Sequence, residues 1–217
     1  AGDTFLASAK GRSNQNVLFL DSTGRFYVLA SHSLPSARGQ GEPITGRLNP
    51  PSGAHFCDVV MGTNSQQILL GSDAGYGFVT SLEMLSTKNR SGKAVISIPT
   101  GGQILSVKFI SDKTSLIAAV SSTGRLLLFP VGELPFLSKG KGIKIINIPA
   151  SRVVNREEYV VDYAIVRQGA SLFVHSGKRY LHMKNKDLTS YIGERGRRGH
   201  KLPRGFQKVD RLETDDL

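Results

Sequence analysis

Four copies of one short pattern run through this chain, and they limit the folds that it can adopt. Each copy has a glycine turn between two short apolar runs, the pattern of a β-hairpin in which glycine supplies a positive φ. The turn glycines are separated by 51, 49 and 53 residues, and they are Gly24, Gly75, Gly124 and Gly177. This regular spacing predicts a repeat protein rather than a chain with one irregular core.

Each hairpin has further elements before and after it. A β-rich run precedes it, at residues 5–9, 55–61, 104–109 and 159–166, and a fifth copy lies at 207–212. A leucine follows each turn glycine by ten or eleven residues and is expected to anchor a corner in the core: Leu34, Leu85, Leu134 and Leu188. Next come a basic loop and a closing β-rich run that ends near a proline. Residues 81–86 are expected to form one helical turn.

Units of about four strands predict an all-β fold in which four-stranded blades form a radial or solenoidal array. The predicted organisation is a single domain over residues 1–212. Its repeats cover about 4–50, 54–99, 104–149 and 159–203, and 207–212 forms a closing strand. Residues 213–217 form an acidic tail that is expected to be disordered.

Composition favours a polyanionic partner. The formal net charge is +11 and the sequence pI is about 10.0, which favours nucleic acid first and an anionic membrane surface second. The plainer alternative is a soluble protein that happens to be basic. The lone cysteine, Cys57, excludes an internal disulfide and fits a reducing compartment. Since the chain begins at Ala1 without a signal-peptide pattern, we expect it to be a piece of a longer protein.

Catalytic patterns are missing from the sequence. Its five histidines lack metal-ligand spacing. Neither a Gly-x-Ser-x-Gly elbow nor a phosphate-binding P-loop occurs. The acidic pair Glu157 and Glu158 is interpreted as an exposed, solvated pair in a polar turn. We therefore expect no catalytic residue and no metal site.

The positive signal lies in the basic, glycine-containing loops, at residues 38–41, 88–93, 139–142 and 195–199. In a radial fold, equivalent positions lie on one rim, where glycines let backbone N–H groups approach phosphates and Lys or Arg add charge. Residues 177–212 carry a net charge of +8. The candidate DNA-binding residues are Arg38, Arg47, Lys88, Arg90, Lys93, Lys139, Lys141, Lys144, Lys178, Arg179, Arg195, Arg197, Arg198 and Lys201.

The loops lack interleaved aromatic residues, which disfavours single-strand stacking, and no basic recognition helix is present. Sequence-tolerant binding and bending of duplex DNA is the leading hypothesis. The alternative is a propeller-type protein-interaction module that binds acidic partners. An enzyme built on a propeller is the third class, and it lacks the polar cluster that it would need.

Six segments carry a family resemblance: 21–25 (DSTGR), 34–43 (LPSARGQGEP), 72–79 (SDAGYGFV), 137–142 (LSKGKG), 144–149 (KIINIP) and 193–199 (GERGRRG). With them the chain resembles the C-terminal domain of the A subunit of bacterial type II topoisomerases, the GyrA/ParC β-pinwheel family. Within it, the topoisomerase IV (ParC) branch is the most similar.

The resemblance implies a propeller-like disc, a β-pinwheel, whose blades exchange strands. It implies an outer rim that binds duplex DNA and presents a transported segment to the catalytic core, for decatenation and relaxation in chromosome segregation. In this family the nucleophilic tyrosine lies outside the domain, as do the ATP and Mg²⁺ of the ATP-dependent holoenzyme. The domain itself is therefore expected to hold no cofactor.

The implied partners are duplex DNA, the ParE protein (the B subunit of topoisomerase IV) and the catalytic core of the same subunit. The isolated domain is expected to be monomeric. The implied location is the bacterial cytoplasm, in association with the chromosome, and some family members associate peripherally with the inner membrane.

Two departures from the family modify these expectations. The gyrase branch carries a Gln-Arg-Arg-Gly-Gly-Lys-Gly box for strong chiral wrapping, and the loops here are only degenerate relatives of it. Gyrase-like negative supercoiling is therefore not expected. Family discs have five or more blades, whereas four repeats are counted here, which predicts an open, C-shaped ring.

Overall fold

A computed structural model describes residues 2–215 and is dominated by strands. Strands β1 to β15 span, in chain order, Asn16–Asp21, Arg25–Ala30, Phe56–Met61, Gln67–Gly71, Tyr76–Ser81, Lys93–Ala94, Lys108–Ile110, Leu116–Ser121, Arg125–Pro130, Ile143–Lys144, Val160–Val166, Leu172–Ser176, Arg179–Met183, His200–Lys201 and Arg211–Thr214. Helices α1 to α3 span Leu82–Leu85, Ala150–Val154 and Asn185–Leu188. Short 3-10 turns span Ser31–Ser33, Ile44–Gly46, Val131–Glu133 and Thr189–Tyr191.

The four predicted hairpins are present. Antiparallel pairs form between β1 and β2, β4 and β5, β8 and β9, and β12 and β13. The turn glycine of each hairpin has a positive φ, from 59° to 86°. The all-β prediction is confirmed, and the helical turn predicted at 81–86 is α1.

Sheets do not coincide with sequence repeats, because each hairpin is completed by the repeat that follows it. The strand orders are β3-β1-β2-β6, β10-β5-β4-β7, β11-β8-β9-β14 and β13-β12-β15. In the second sheet, for example, β7 and β10 both come from the third repeat. This is the strand exchange of a β-pinwheel. We call the edge formed by β6, β10 and β14 the outer edge of the first three sheets, and the edge formed by β3, β7, β11 and β15 the inner edge of all four.

Inner edges of neighbouring sheets are joined by two carboxylates. Asp58 of β3 accepts a hydrogen bond from the backbone of Val107 (2.8 Å). Asp162 of β11 forms an ion pair with Lys108 (3.1 Å) and accepts the backbone N–H of Leu212 (2.9 Å). Among the described residues, no hydrogen bond joins the first sheet to the last.

The core lies between sheets, and the inner hairpins bury both of their faces. Ile117 and Ala119 of β8 belong to one apolar cluster, whereas Ala118 and Val120 belong to the next. Since side chains alternate across a strand, burial of both faces requires a continuous apolar run, as in β8. The anchor leucines at the corners are buried at Leu85, Leu134 and Leu188, whereas Leu34 is half-buried.

Predictions at the two ends of the chain are corrected. Residues 5–9 form no strand, and Phe5 is 82% exposed. The equivalent runs pair with the hairpin of the preceding repeat, and the described residues contain no hairpin before β1. At the other end the closing strand is Arg211–Thr214 rather than 207–212, so Glu213 and Thr214 are ordered in a sheet and not in a tail. Asp216 and Leu217 lie outside the described residues.

The strand exchange locks the turn glycines of the first three hairpins against the chain of the next repeat. The carbonyl of Gly75 accepts the backbone N–H of Ile145 (2.7 Å), and a Cβ at Gly75 would collide with the carbonyl oxygen of Ile146. At Gly177, in the last hairpin, nothing lies within 4 Å of the Cβ position.

Replacing Gly75 with alanine is expected to destabilise the domain more than the same change at Gly177. Both glycines have a positive φ, so alanine strains the backbone at either position. Only Gly75→Ala must also push away the chain of the next repeat, which adds about 2 kcal/mol. Urea denaturation of the two variants measures the difference. Equal losses of unfolding free energy would contradict the interlock.

Candidate nucleic-acid interface

The basic loops of repeats two, three and four take equivalent positions on the outer edges. Each loop leads directly into the short outer strand, β6, β10 or β14, which pairs with the preceding hairpin. The first residue of the neighbouring hairpin strand then contacts the loop. Arg25 donates to the carbonyl of Ser91 (3.0 Å) and Arg125 to that of Gly199 (3.2 Å). At the equivalent position, the Tyr76 ring lies 4.5 Å below Nζ of Lys141.

Successive loops are also joined to one another by backbone hydrogen bonds. Asn49 donates to Arg90 in the loop of repeat two (2.8 Å). Gly140 donates to Val95 (2.8 Å), and Gly196 donates to Ile145 (2.8 Å). The structure therefore brings the loops of repeats two, three and four together into one continuous surface, and the segment that ends at Asn49 adjoins it from repeat one. We call it the basic ridge, and it comprises residues 38–49, 88–97, 139–147 and 195–201.

Several predicted side chains of the ridge are exposed and have no partner among the described residues. They are Arg38, Lys88, Lys139 and Lys201. Lys141 is also exposed, and its only described contact is the Tyr76 ring. An ammonium group on a flexible stem that has no protein partner is free to neutralise a phosphate.

Most predicted arginines of the ridge instead hold backbone carbonyls. Arg47 donates to the Ser33 carbonyl (2.8 Å) and also forms an ion pair with Glu42. Arg90 donates to the Arg47 carbonyl (2.7 Å), and Arg195 donates to the Lys144 carbonyl (2.6 Å). These guanidinium groups stabilise the loops, because each donor satisfies a carbonyl that regular pairing leaves free.

Other predicted residues have local partners. Lys93 donates to the Met84 carbonyl (2.7 Å), and Lys144 donates to the Asn147 side chain (3.1 Å). Arg197 forms an exposed ion pair with Glu194 (2.9 Å), of a kind that contributes little stability.

Lys178 and Arg179 lie apart from the ridge, at the turn of the last hairpin. Lys178 is exposed and has no partner among the described residues. Arg179 donates to the Gly205 carbonyl (3.0 Å). Neither residue hydrogen-bonds to the ridge, so the structure does not bring this predicted pair together with the loops.

Arg198 belongs to a buried ion cluster. Its Nη2 atom lies 2.9 Å from Oε1 of Glu158, a carboxylate with no exposed surface. Arg152 and Thr123 also donate to Glu158, at 3.1 and 2.9 Å. Burial of this carboxyl opposes ionisation, but the hydrogen bonds from Thr123 and the arginines outweigh it and hold the pKa of Glu158 below its ordinary value of 4.5.

The interpretation of Glu157 and Glu158 as a solvated pair is therefore wrong for Glu158 and right for Glu157, which is exposed. Sequence reasoning also missed Arg25, Tyr76 and Arg125 as loop contacts. One signal was available, since each directly follows a turn glycine, at the start of a hairpin strand.

Other kinds of site find little support. Within residues 2–215, no group of three or more His, Cys, Asp or Glu side chains is arranged to hold a metal ion. His175 forms a 2.7 Å contact with Glu213, and His182 stacks on Phe173. Among the described helices, none has the length and apolar character of a membrane span.

Comparisons with known proteins agree with the fold. The family model described as "DNA gyrase C-terminal domain, beta-propeller" matches residues 66–111 and 116–155. The A subunit of DNA topoisomerase 4 from Pseudomonas aeruginosa is 55% identical over 99% of this chain and 29% of its own length. The Escherichia coli K12 protein of the same name is 46% identical over 99% of this chain and 28% of its own length. The chain thus spans less than a third of these relatives.

Solved structures give the same picture. The E. coli ParC C-terminal domain superposes with a TM-score of 0.88 at 44% identity, over 95% of this chain and 84% of that one. A DNA gyrase A C-terminal domain superposes with a TM-score of 0.68 at 12% identity, over 93% of this chain and 66% of that one. The gyrase domain shares the fold alone.

Proposed function

This chain belongs to the family of C-terminal domains of type IIA topoisomerase A subunits, in the topoisomerase IV (ParC) branch, and we propose that it binds duplex DNA along its basic ridge. Contacts run from lysines and loop backbone to phosphates, so binding tolerates any base sequence. A duplex that follows the ridge meets several loops at once, and the added phosphate contacts offset the cost of bending it.

The continuity of the ridge is the observation that carries this proposal. One exposed basic loop would be an ordinary solvated turn. Here backbone hydrogen bonds join three such loops and the end of the repeat-one segment at Asn49, and Lys88, Lys139 and Lys201 project from the ridge without partners among the described residues. The arginines hold the loops in place before DNA arrives, which lowers the ordering cost of binding.

For the longer protein, the names of the relatives support a role in a topoisomerase IV holoenzyme. The domain would present the transported DNA segment to the catalytic core of its own polypeptide, for decatenation and relaxation during chromosome segregation. ATP, Mg²⁺ and the nucleophilic tyrosine would be held outside this domain, which binds no cofactor itself. The B subunit of topoisomerase IV (ParE) would be the other partner. The isolated domain would be a monomer, associated with the chromosome in the bacterial cytoplasm.

The degenerate loops support bending rather than gyrase-like chiral wrapping. Repeat three offers Lys-Gly-Lys-Gly at residues 139–142, and repeat four offers Arg-Gly-Arg-Arg-Gly at residues 195–199. Neither contains the full seven-residue box of gyrase.

Binding to two unrelated duplexes of equal length tests the proposal. If the 217-residue chain neutralises about 6 phosphates, log K falls against log salt with a slope of roughly −5. The slope is measured between about 50 and 200 mM salt, and both duplexes should give the same affinity. Binding that ignores salt would contradict the proposal. Acidic polypeptides that compete better than duplex DNA would favour the protein-interaction module instead.

A further inference from the structure

Two large apolar side chains are exposed at equivalent places beside the basic ridge. Phe136 is 47% exposed and Ile192 is 46% exposed. Each forms an isolated parallel bridge to the hairpin strand of the preceding repeat, Phe136 with Val79 and Ile192 with Leu128. Each also lies three residues before the first basic residue of its loop, Lys139 or Arg195.

The backbone keeps these side chains from turning into the core. Val79 donates to the Pro135 carbonyl (3.0 Å) and accepts from Leu137 (2.9 Å), so the chain is fixed on both sides of Phe136. Leu134 is buried and Leu137 packs against the core, which leaves Phe136 facing solvent. Ile192 is fixed on its C-terminal side, because Gly193 donates to the Leu128 carbonyl (3.0 Å).

The surroundings favour one class of partner. Lys139 and Lys141 follow Phe136 closely, and Arg195 follows Ile192. An apolar side chain beside positive charge matches duplex DNA, which combines phosphates with apolar sugar edges. Proteins that bend DNA through the minor groove insert apolar side chains such as Phe, Leu or Ile at base steps.

We propose that Phe136 and Ile192 contact the minor groove of bound duplex DNA and stabilise its bent form. The basic loop that follows each apolar residue holds the neighbouring phosphates, with Lys139 and Lys141 beside Phe136, and the apolar side chains press against the sugars and the base step between them. This inference rests on the proposed function and adds to it, because it assigns DNA contacts that carry no charge.

The test compares Phe136→Ala and Ile192→Ala with Phe109→Ala in the 217-residue chain. Phe109 is 38% exposed and lies on β7, at the opposite edge of the sheet whose outer strand is β10, so it is a matched control. Affinity and salt slope are measured on a duplex of about 30 base pairs. Bending is measured by energy transfer between the duplex ends, and unstacking by a 2-aminopurine probe.

The Phe136→Ala and Ile192→Ala variants should each lose about tenfold in affinity, because each removes one apolar side chain from the contact with DNA. Energy transfer and the 2-aminopurine signal should fall, while the salt slope stays at the wild-type value because no charge is lost. Phe109→Ala should match wild type in every readout. Ile192→Thr keeps the β-branched shape and gives the same test if alanine lowers the melting temperature.

Wild-type affinity and bending in the Phe136 and Ile192 variants would overturn the inference and leave the proposed function intact. The insertion at a base step would also be overturned if the wild-type chain bound DNA with a steep salt dependence but the 2-aminopurine signal did not change on binding. Loss of salt-dependent binding in the wild-type chain itself would instead remove the proposed function.

Discussion

Replacing Lys88, Lys139 and Lys201 together with glutamine should lower duplex affinity about 100-fold and flatten the salt slope by roughly 3. Each lysine comes from a different repeat of the basic ridge, is exposed and has no partner among the described residues. Its removal therefore takes away a phosphate contact without breaking an internal one. The slope is the deciding measurement, because it counts released counterions rather than stability.

A second triple variant controls for net charge. Lys10, Lys113 and Lys186 are also exposed, and all three lie outside the basic ridge. Their replacement with glutamine removes the same charge. Because none of them lies on the ridge, no phosphate contact is lost, and the salt slope should change much less. Equal slopes for the two triple variants would show that DNA responds to overall charge and not to the ridge.

The loop-holding arginines should behave differently from the lysines. Arg25 donates hydrogen bonds to the carbonyls of Ser91 and Gly92, and Arg125 donates to that of Gly199. In the double variant Arg25→Met, Arg125→Met, the loops lose these contacts, and affinity should fall about tenfold through added disorder. The salt slope should stay near the wild-type value. A slope that flattens by roughly 2 would mean that both arginines contact phosphates directly.

Replacing Glu158 with glutamine should produce the largest loss of stability among single changes at the interface. The amide keeps the shape of the side chain but leaves Arg198 and Arg152 without their counter-charge. Breaking a buried pair costs about 3 kcal/mol when the partners are partly exposed, as here. The melting temperature should fall by roughly 5–10 °C. Glu157→Gln, at the exposed neighbour, should leave it unchanged.

The depressed pKa of Glu158 also predicts how the unfolding free energy depends on pH. The pKa of Glu158 is depressed in the folded chain, so its stabilising contribution is complete above its ordinary value of 4.5 and is lost as the pH falls through the lower folded value. The gap in unfolding free energy between wild type and Glu158→Gln should therefore narrow in acid. Urea denaturation at about pH 7 and about pH 3 measures it. A gap independent of pH would mean that the ion cluster does not stabilise the fold.

Local signals were enough to predict the hairpins and the loops. A glycine turn between apolar runs specifies a hairpin almost by itself, since both partners are neighbours in sequence. The failed strand at residues 5–9 shows the limit of such signals. Its pattern is that of an inner strand, but a strand needs a neighbouring hairpin to pair with, and β1 already pairs with β2 and β3.

The sequence could not show which basic residues are paired within the protein and which are free to bind DNA, for a related reason. In the sequence Arg198 and Lys201 look alike, since both lie in one basic run. Arg198 is paired because Glu158, forty residues earlier, is brought beneath it by the strand exchange. Some basic residues stabilise the ridge and others are free to contact DNA. Contacts between repeats decide which is which, and composition and spacing do not encode those contacts.

Strand exchange also has a consequence for synthesis on the ribosome. Hairpin β1/β2 ends at Ala30, but the strand that covers its outer edge begins at Lys93. At roughly 5–20 residues per second, that edge stays open for several seconds in the nascent chain, as do those of the next two hairpins in turn. An open edge invites pairing with the wrong strand, and charge is what discourages it. Most positive residues of the ridge lie in the loop just before the covering strand, so they reach each open edge only when that edge is about to be closed.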